Sequence, residues 1–164
     1  MNTLAAGRTP AFEEYFRREK APARIGFFSL GHHVYWPQFK GLREQLLAYH
    51  SDFVEQLRAL GVDVIDGGMS DSPSAACEIG DSLQRADVDL LVAFLATYSP
   101  SADTLPIVQR TRRPLVLAAL QPAAALDYPR ATTYTQLCND NITSLPEICC
   151  VLRRAKMDIA DAIV

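Results

Sequence analysis

Between Arg24 and Leu120 the apolar positions fall into short runs separated by longer helical stripes. Arg24 to Leu30, RIGFFSL, is rich in β-formers and ends at Gly31, which predicts a first strand. From Pro37 onward Phe39, Leu42, Leu46, Phe53, Leu57 and Leu60 recur at three- and four-residue steps, with Tyr49 and His50 in the middle turn. That spacing predicts a long helix stopped by Gly61. Val62 to Asp66 alternates as a second strand, broken by Gly67-Gly68. Ser72-Pro73 reads as a cap and first-turn pair for a helix facing inward through Ala76, Ile79, Leu83 and Ala86. Val88 to Leu95 is almost continuously apolar, as a strand buried on both faces should be. A turn at Tyr98-Ser99-Pro100 leads to a helix ending near Arg113, and Pro114 to Leu120 supplies a fourth strand. Gln121 to Thr143 has no clear period. Ser144-Leu145-Pro146-Glu147 then reads as a capping box opening a helix through Ile148, Val151, Leu152 and Ala155.

Strict alternation of strand and helix implies parallel crossovers and a sheet covered on both faces. The expected fold class is α/β: a doubly wound, flavodoxin-like parallel sheet of at least four strands, order 2-1-3-4. Residues 1–23 are expected to form a helical extension, because Phe12, Tyr15 and Phe16 share a face and Glu13–Arg17 and Glu14–Arg18 are i, i+4 pairs. Residues 24–164 are expected to be one Rossmann-like domain. Ile159, Ala162, Ile163 and Val164 form an apolar tail, as if the chain were truncated where another strand should begin, and that tail is expected to promote association.

Composition narrows the function classes. The 164 residues are 49% hydrophobic and 21% charged, with net charge −3, so a sizeable core is available and no basic block invites nucleic acid. The apolar runs are too short for a membrane span of ~20 residues, and charges interrupt residues 1–23 where a signal peptide would need an apolar core. Cys77, Cys138, Cys149 and Cys150 show neither metal-ligand nor redox spacing, which points to a reducing compartment, the cytoplasm.

In an open parallel sheet, ligands bind beyond the carboxyl ends of the strands. That rule selects Gly31-His32-His33-Val34-Tyr35-Trp36-Pro37, Thr97-Tyr98-Ser99-Pro100 and Gln121-Pro122. Imidazole, phenol, hydroxyl and amide groups there can donate to and accept from a polyhydroxylated ligand. Each has a plainer role: the histidines bonding their own loop, Tyr35 and Trp36 stapling the long helix, Thr97 or Ser99 capping, Gln121 anchoring a loop. His50 reads as an ordinary helix residue. No glycine-rich phosphate loop follows the first strand, no aspartate ends the third, and no Gly-x-Ser-x-Gly elbow exists. Two adjacent histidines do not make a metal site.

The strand-end segments Gly31 to Pro37, Ala96 to Pro100 and Leu120-Gln121-Pro122 resemble, in that order, those of the N-terminal domain of the L-arabinose/L-fucose isomerase family. The resemblance spans roughly residues 24–155. It implies a substrate-recognition and assembly domain of an aldose–ketose isomerase, with His32, His33, Tyr35, Thr97, Tyr98, Ser99 and Gln121 as substrate-binding positions. It implies no cofactor in this chain, since the family's Mn²⁺ is held by later domains, and it implies a homo-oligomer or a partner catalytic domain. The chain alone would then be inactive. A non-catalytic, sugar-like small-molecule-binding module and an assembly domain without a ligand are the alternatives.

Overall fold

The computed structural model describes residues 23–140, 142–157 and 159–163. Five strands form one all-parallel sheet: β1 (Arg24–Leu30), β2 (Asp63–Ser70), β3 (Leu90–Leu95), β4 (Leu115–Ala118) and β5 (Ile159–Ile163), in the order 2-1-3-4-5. The helices are α1 (Leu42–Ala59), α2 (Pro73–Arg85), α3 (Leu105–Thr111), α4 (Thr133–Leu137) and α5 (Leu145–Arg154). The expected doubly wound, flavodoxin-like arrangement is present and gains a strand. Residues 159–163 of the apolar tail form that strand: Ile159 pairs with Leu115 and Ile163 with Ala118. The helix expected near Phe12 lies outside the described residues.

The period-two alternation of β1 divides the core. Phe28 and Leu30 face a cluster with Leu83 of α2, Ile107 of α3 and Ile148 of α5. Phe27 faces the other cluster, with Leu42, Leu46 and Val54 of α1 and Leu137 of α4. Burial on both faces explains why β3, with Leu91 to Leu95 almost wholly inaccessible, reads as a continuous apolar run.

Several boundaries differ from the sequence reading for local reasons. The long helix begins at Leu42 rather than near Pro37. Residues His33–Tyr35 form a 3-10 turn instead, and Gly41 enters α1 with φ of 84°. Its end is as expected: Gly61, at φ 81°, donates to the Arg58 carbonyl, and Val62 donates to that of Leu57, closing a Schellman motif. β2 runs through Gly67-Gly68 to Ser70, because its pairing with β1 shifts register between Phe27 and Ser29 and accommodates the glycines as an irregularity. The Ser72 hydroxyl caps α2 by accepting from Ala75 N at 3.3 Å. The capping box at Ser144 does not form: Ser144 has helical backbone angles and makes no side-chain cap bond.

His50 is not an ordinary helix residue. Ser29 occupies the α1 side of β1 and is fully buried, and its hydroxyl lies 2.7 Å from His50 Nδ1. His50 Nε2 lies 2.8 Å from Asp66 Oδ1 on β2. A carboxylate oxygen only accepts, so Nε2 carries the ring proton and Nδ1 accepts from Ser29. This chain satisfies the buried Ser29 hydroxyl and His50 ring, which would otherwise sit unpaired beneath α1 at about 1–3 kcal/mol each, with the exposed Asp66 as its outer end. His50→Leu should therefore lose more stability than its packing change explains. Adding Ser29→Ala should recover about 1 kcal/mol, since the stranded hydroxyl goes with it. Urea unfolding of the two single variants and the double variant checks this; strictly additive losses would contradict it.

Candidate functional site

The strand order places β1 and β3 side by side while their connections leave in opposite directions, so the crevice lies between residues 31–37 and 96–104. The first loop is held from both ends. A Cβ on Gly31 would lie 2.8 Å from Met69 Sδ and 3.0 Å from the Trp36 ring, so a side chain there would have to displace the methionine and crowd the indole. Trp36 Nε1 donates to Asp71 Oδ2 at 2.8 Å. His33 contacts the Asp71 carbonyl at 3.0 Å through both its backbone N–H and its Nδ1. Asp71, just past β2, thus anchors the histidine loop.

That anchoring leaves His32 and His33 edge to face, with ring centroids 5.4 Å apart, but in different surroundings. His33 is exposed, whereas His32 packs edge-on against the rings of Tyr35 and Tyr98, at centroid distances of 5.3 and 6.2 Å. His32 Nδ1 is buried and unbonded, and it stands 3.8 Å from Asp103 Oδ2, beyond hydrogen-bond reach. The His32 side chain keeps 20% of its surface exposed. Desolvation, followed by the neighbouring His33, lowers its pKa and favours the neutral ring.

Asp103 is the residue that the sequence reading missed. It closes the 3-10 turn Ser101–Asp103 after β3 and is 1% exposed. Burial raises its pKa to about 6, opposed by a hydrogen bond from Ser99 Oγ at 3.3 Å. The Ser70 hydroxyl donates to its carbonyl at 2.6 Å, tying the turn to the end of β2. The two residues of the unformed capping box hold the same loop from the far side. Ser144 Oγ accepts from Ser99 N at 2.8 Å, and Glu147 Oε1 accepts from Ser101 N at 2.9 Å. Nothing local signals this, because the partners are 45 and 46 residues apart. Asp71 was legible in principle, since it too follows a strand at its carboxyl end.

The other expected positions divide. Tyr35 and Tyr98 flank His32, and burial raises the pKa of Tyr35, with Tyr98 and Asp140 adding to the shift. Thr97 and Ser99 are fully buried behind the rim, and the hydroxyls of Thr97 and Thr104 lack hydrogen-bond partners. Gln121 follows β4 on the same edge, but it is exposed and donates to the carbonyl of Ala123 at 2.6 Å, anchoring its own loop. Among the described residues no three His, Cys, Asp or Glu side chains converge as a metal site.

The arrangement is not a serine-hydrolase relay. In that relay a hydroxyl bonds an imidazole that bonds a carboxylate, whereas Ser99 gives its proton directly to Asp103. The chain Ser29–His50–Asp66 has the relay's order, but its hydroxyl is sealed beneath α1 and cannot meet a substrate.

Fold and site together define a doubly wound α/β protein with a histidine–carboxyl pair at its switch point. No family model matches the chain, and no curated protein matches it. Among solved structures it is similar to a GDSL-like lipase from Bacteroides thetaiotaomicron, at 14% identity and TM-score 0.42, covering 84% of this chain and 67% of that one. A putative acylhydrolase from Bacteroides fragilis is also 14% identical, at TM-score 0.42, with 87% and 71% covered. Likenesses this loose carry no argument about activity. The expected isomerase identity, with its role in carbohydrate metabolism, is corrected: no family model and no curated protein supports it. The resemblance rested on short segments at strand ends, where any doubly wound sheet places glycine, proline and hydroxyl residues.

The buried carboxyl fixes a pH dependence. Its native pKa is above its unfolded value, so the folded chain binds more protons between the two. Its stabilising contribution is complete below about pH 4 and is lost as pH rises through about 6. Asp103→Asn removes this cost. Relative to the parent, the variant should gain up to about 3 kcal/mol between pH 4 and pH 8. Denaturant midpoints across that range measure the difference, and a constant offset would contradict the burial.

Proposed function

We propose that the crevice is an acid–base site in which His32 exchanges a proton with a small polar molecule bearing hydroxyl or carbonyl oxygens. The observation that carries the reading is the buried Asp103 carboxyl facing the unbonded Nδ1 of a ring whose environment keeps it neutral. With the ring proton on Nδ1, directed at Asp103, Nε2 holds the free lone pair and acts as the base. The imidazolium formed on proton uptake is then stabilised by the carboxylate across Nδ1, and it returns the proton as an acid. Asp103 is a positioning residue here, oriented by Ser99 and the loop bonds around it. Closing 3.8 Å to hydrogen-bond distance requires a shift of about 1 Å, and such contacts commonly tighten when substrate binds.

Tyr35 and Tyr98 supply phenol groups at the rim, and the unpaired Thr97 and Thr104 hydroxyls lie in the layer behind it. No helix among the described residues is long and apolar enough to cross a membrane. All four cysteines are free, which supports a reducing compartment, the cytoplasm, as the site of action.

The test uses hydroxyacetone in D2O, with the loss of its carbon-bound protons followed by NMR. The parent should accelerate exchange, and His32→Gln should reduce the acceleration by 10²-fold or more, the scale of a lost general base. Asp103→Asn should lower it as well, with a shifted pH profile. Exchange unaffected by either variant would contradict the reading.

A further inference from the structure

The segment between β4 and α5 holds a second concavity, which the acid–base reading does not use. Residues 121–140 leave the carboxyl end of β4, turn through a 3-10 segment at Tyr128–Arg130 and form the short α4. Between these two pieces lies a cleft of about 470 Å³, lined by Leu126, Tyr128, Thr132, Thr133, Gln136 and Asp140 among others. That volume is within the roughly 300–1,000 Å³ of small-molecule sites. One wall is built to last: Thr132 Oγ1 accepts from Thr135 N, while Asn139 accepts from Ala123 N at 3.1 Å and donates to the Thr135 carbonyl at 2.9 Å. Tyr134 and Leu137 pack α4 onto the α1 side of the core.

The lip is unlike that wall. Tyr128 is 80% exposed, although an aromatic ring of its size gains most when covered. Gln136 and Thr133 are exposed on the facing helix. A half-buried Leu126, an uncovered ring and neighbouring amide and hydroxyl groups are the complement of a ligand with one flat apolar face and a polar head. Charge completes the specification. Among the described residues no lysine or arginine lines the cleft, and Asp140 does. Arg130 is close in sequence, but it is 88% exposed and lies 3.7 Å from Asp127.

We propose that this cleft is a binding site for neutral or cationic small molecules carrying an aromatic or similarly flat apolar group, and that Asp140 excludes anionic ones. Ligand stacks on Tyr128, its head meets the Gln136 amide, and an ammonium group gains attraction from the Asp140 carboxylate. The site does not depend on proton transfer at His32, although Asp140 is close enough to act electrostatically on Tyr35.

Three probes of one shape and different charge test the proposal: benzyl alcohol, benzylamine as its ammonium ion, and benzoate. Each is titrated into the full chain at pH 7, with backbone amide shifts recorded. Benzyl alcohol and benzylammonium should shift amides within residues 126–140, with benzoate at least tenfold weaker. Tyr128→Ala should weaken the first two by fivefold or more. Asp140→Asn should erase the preference for ammonium over alcohol while leaving amide positions in the sheet unchanged. The proposal is overturned if the probes leave residues 126–140 unshifted, if benzoate binds as tightly as the others, or if Tyr128→Ala has no effect.

Discussion

Burying both faces of β3 forces the chain to leave the sheet in opposite directions on its two sides, and the site follows from that constraint. α1 covers one face on the way from β1 to β2, while α2 and α3 cover the other. Where the directions diverge, no helix can close the gap between the first and third loops. Polar groups gather there because backbone and side chains at the strand ends must find partners. The network from Asp71 through Trp36 and His33, with Ser70, Ser144 and Glu147 on the other side, is how this sequence meets that demand. One carboxyl is left deep inside it, short of a full set of partners.

That carboxyl weakens the fold at neutral pH. A buried group whose ionisation opposes folding is a poor choice for stability and a good one for chemistry, because a nearby ring can share its charge. Ser29–His50–Asp66 shows the contrast within the same sheet. There each group finds a partner at 2.7 or 2.8 Å, the hydroxyl is sealed, and the network supports packing alone. At Asp103 the distances are 3.3 and 3.8 Å, and His32 Nδ1 is unbonded. Similar residue types thus serve different ends according to how completely they satisfy one another.

Much of the scaffold is legible in the sequence, because periodicity reports burial directly. RIGFFSL and the run ending at Leu95 are strands in both readings, and Ser72 and Gly61 mark helix ends as their chemistry requires. The strand-end rule also leads to the neighbourhood of His32, Tyr35 and Tyr98. What escaped depends on contacts distant in the chain. Glycines 67 and 68 read as a break, yet a shifted register beside β1 carries the strand through them. Ser144 and Glu147 match a capping box, yet both side chains serve a loop some 45 residues away. Asp103 looks like any polar residue in a turn until the surrounding elements close over it. The region after Gln121 has no period because local hydroxyl and amide bonds, rather than a core-facing stripe, shape it.

Direct observation of the Asp103 carboxyl tests the account at its centre. In protein labelled with ¹³C at aspartate side chains, the Asp103 carboxyl resonance, assigned through its absence in Asp103→Asn, is followed between pH 3 and pH 9. The account predicts a midpoint near 6, with the His32 ring signals responding over the same interval. A midpoint in the ordinary aspartate range of about 4, with His32 titrating independently, would contradict it.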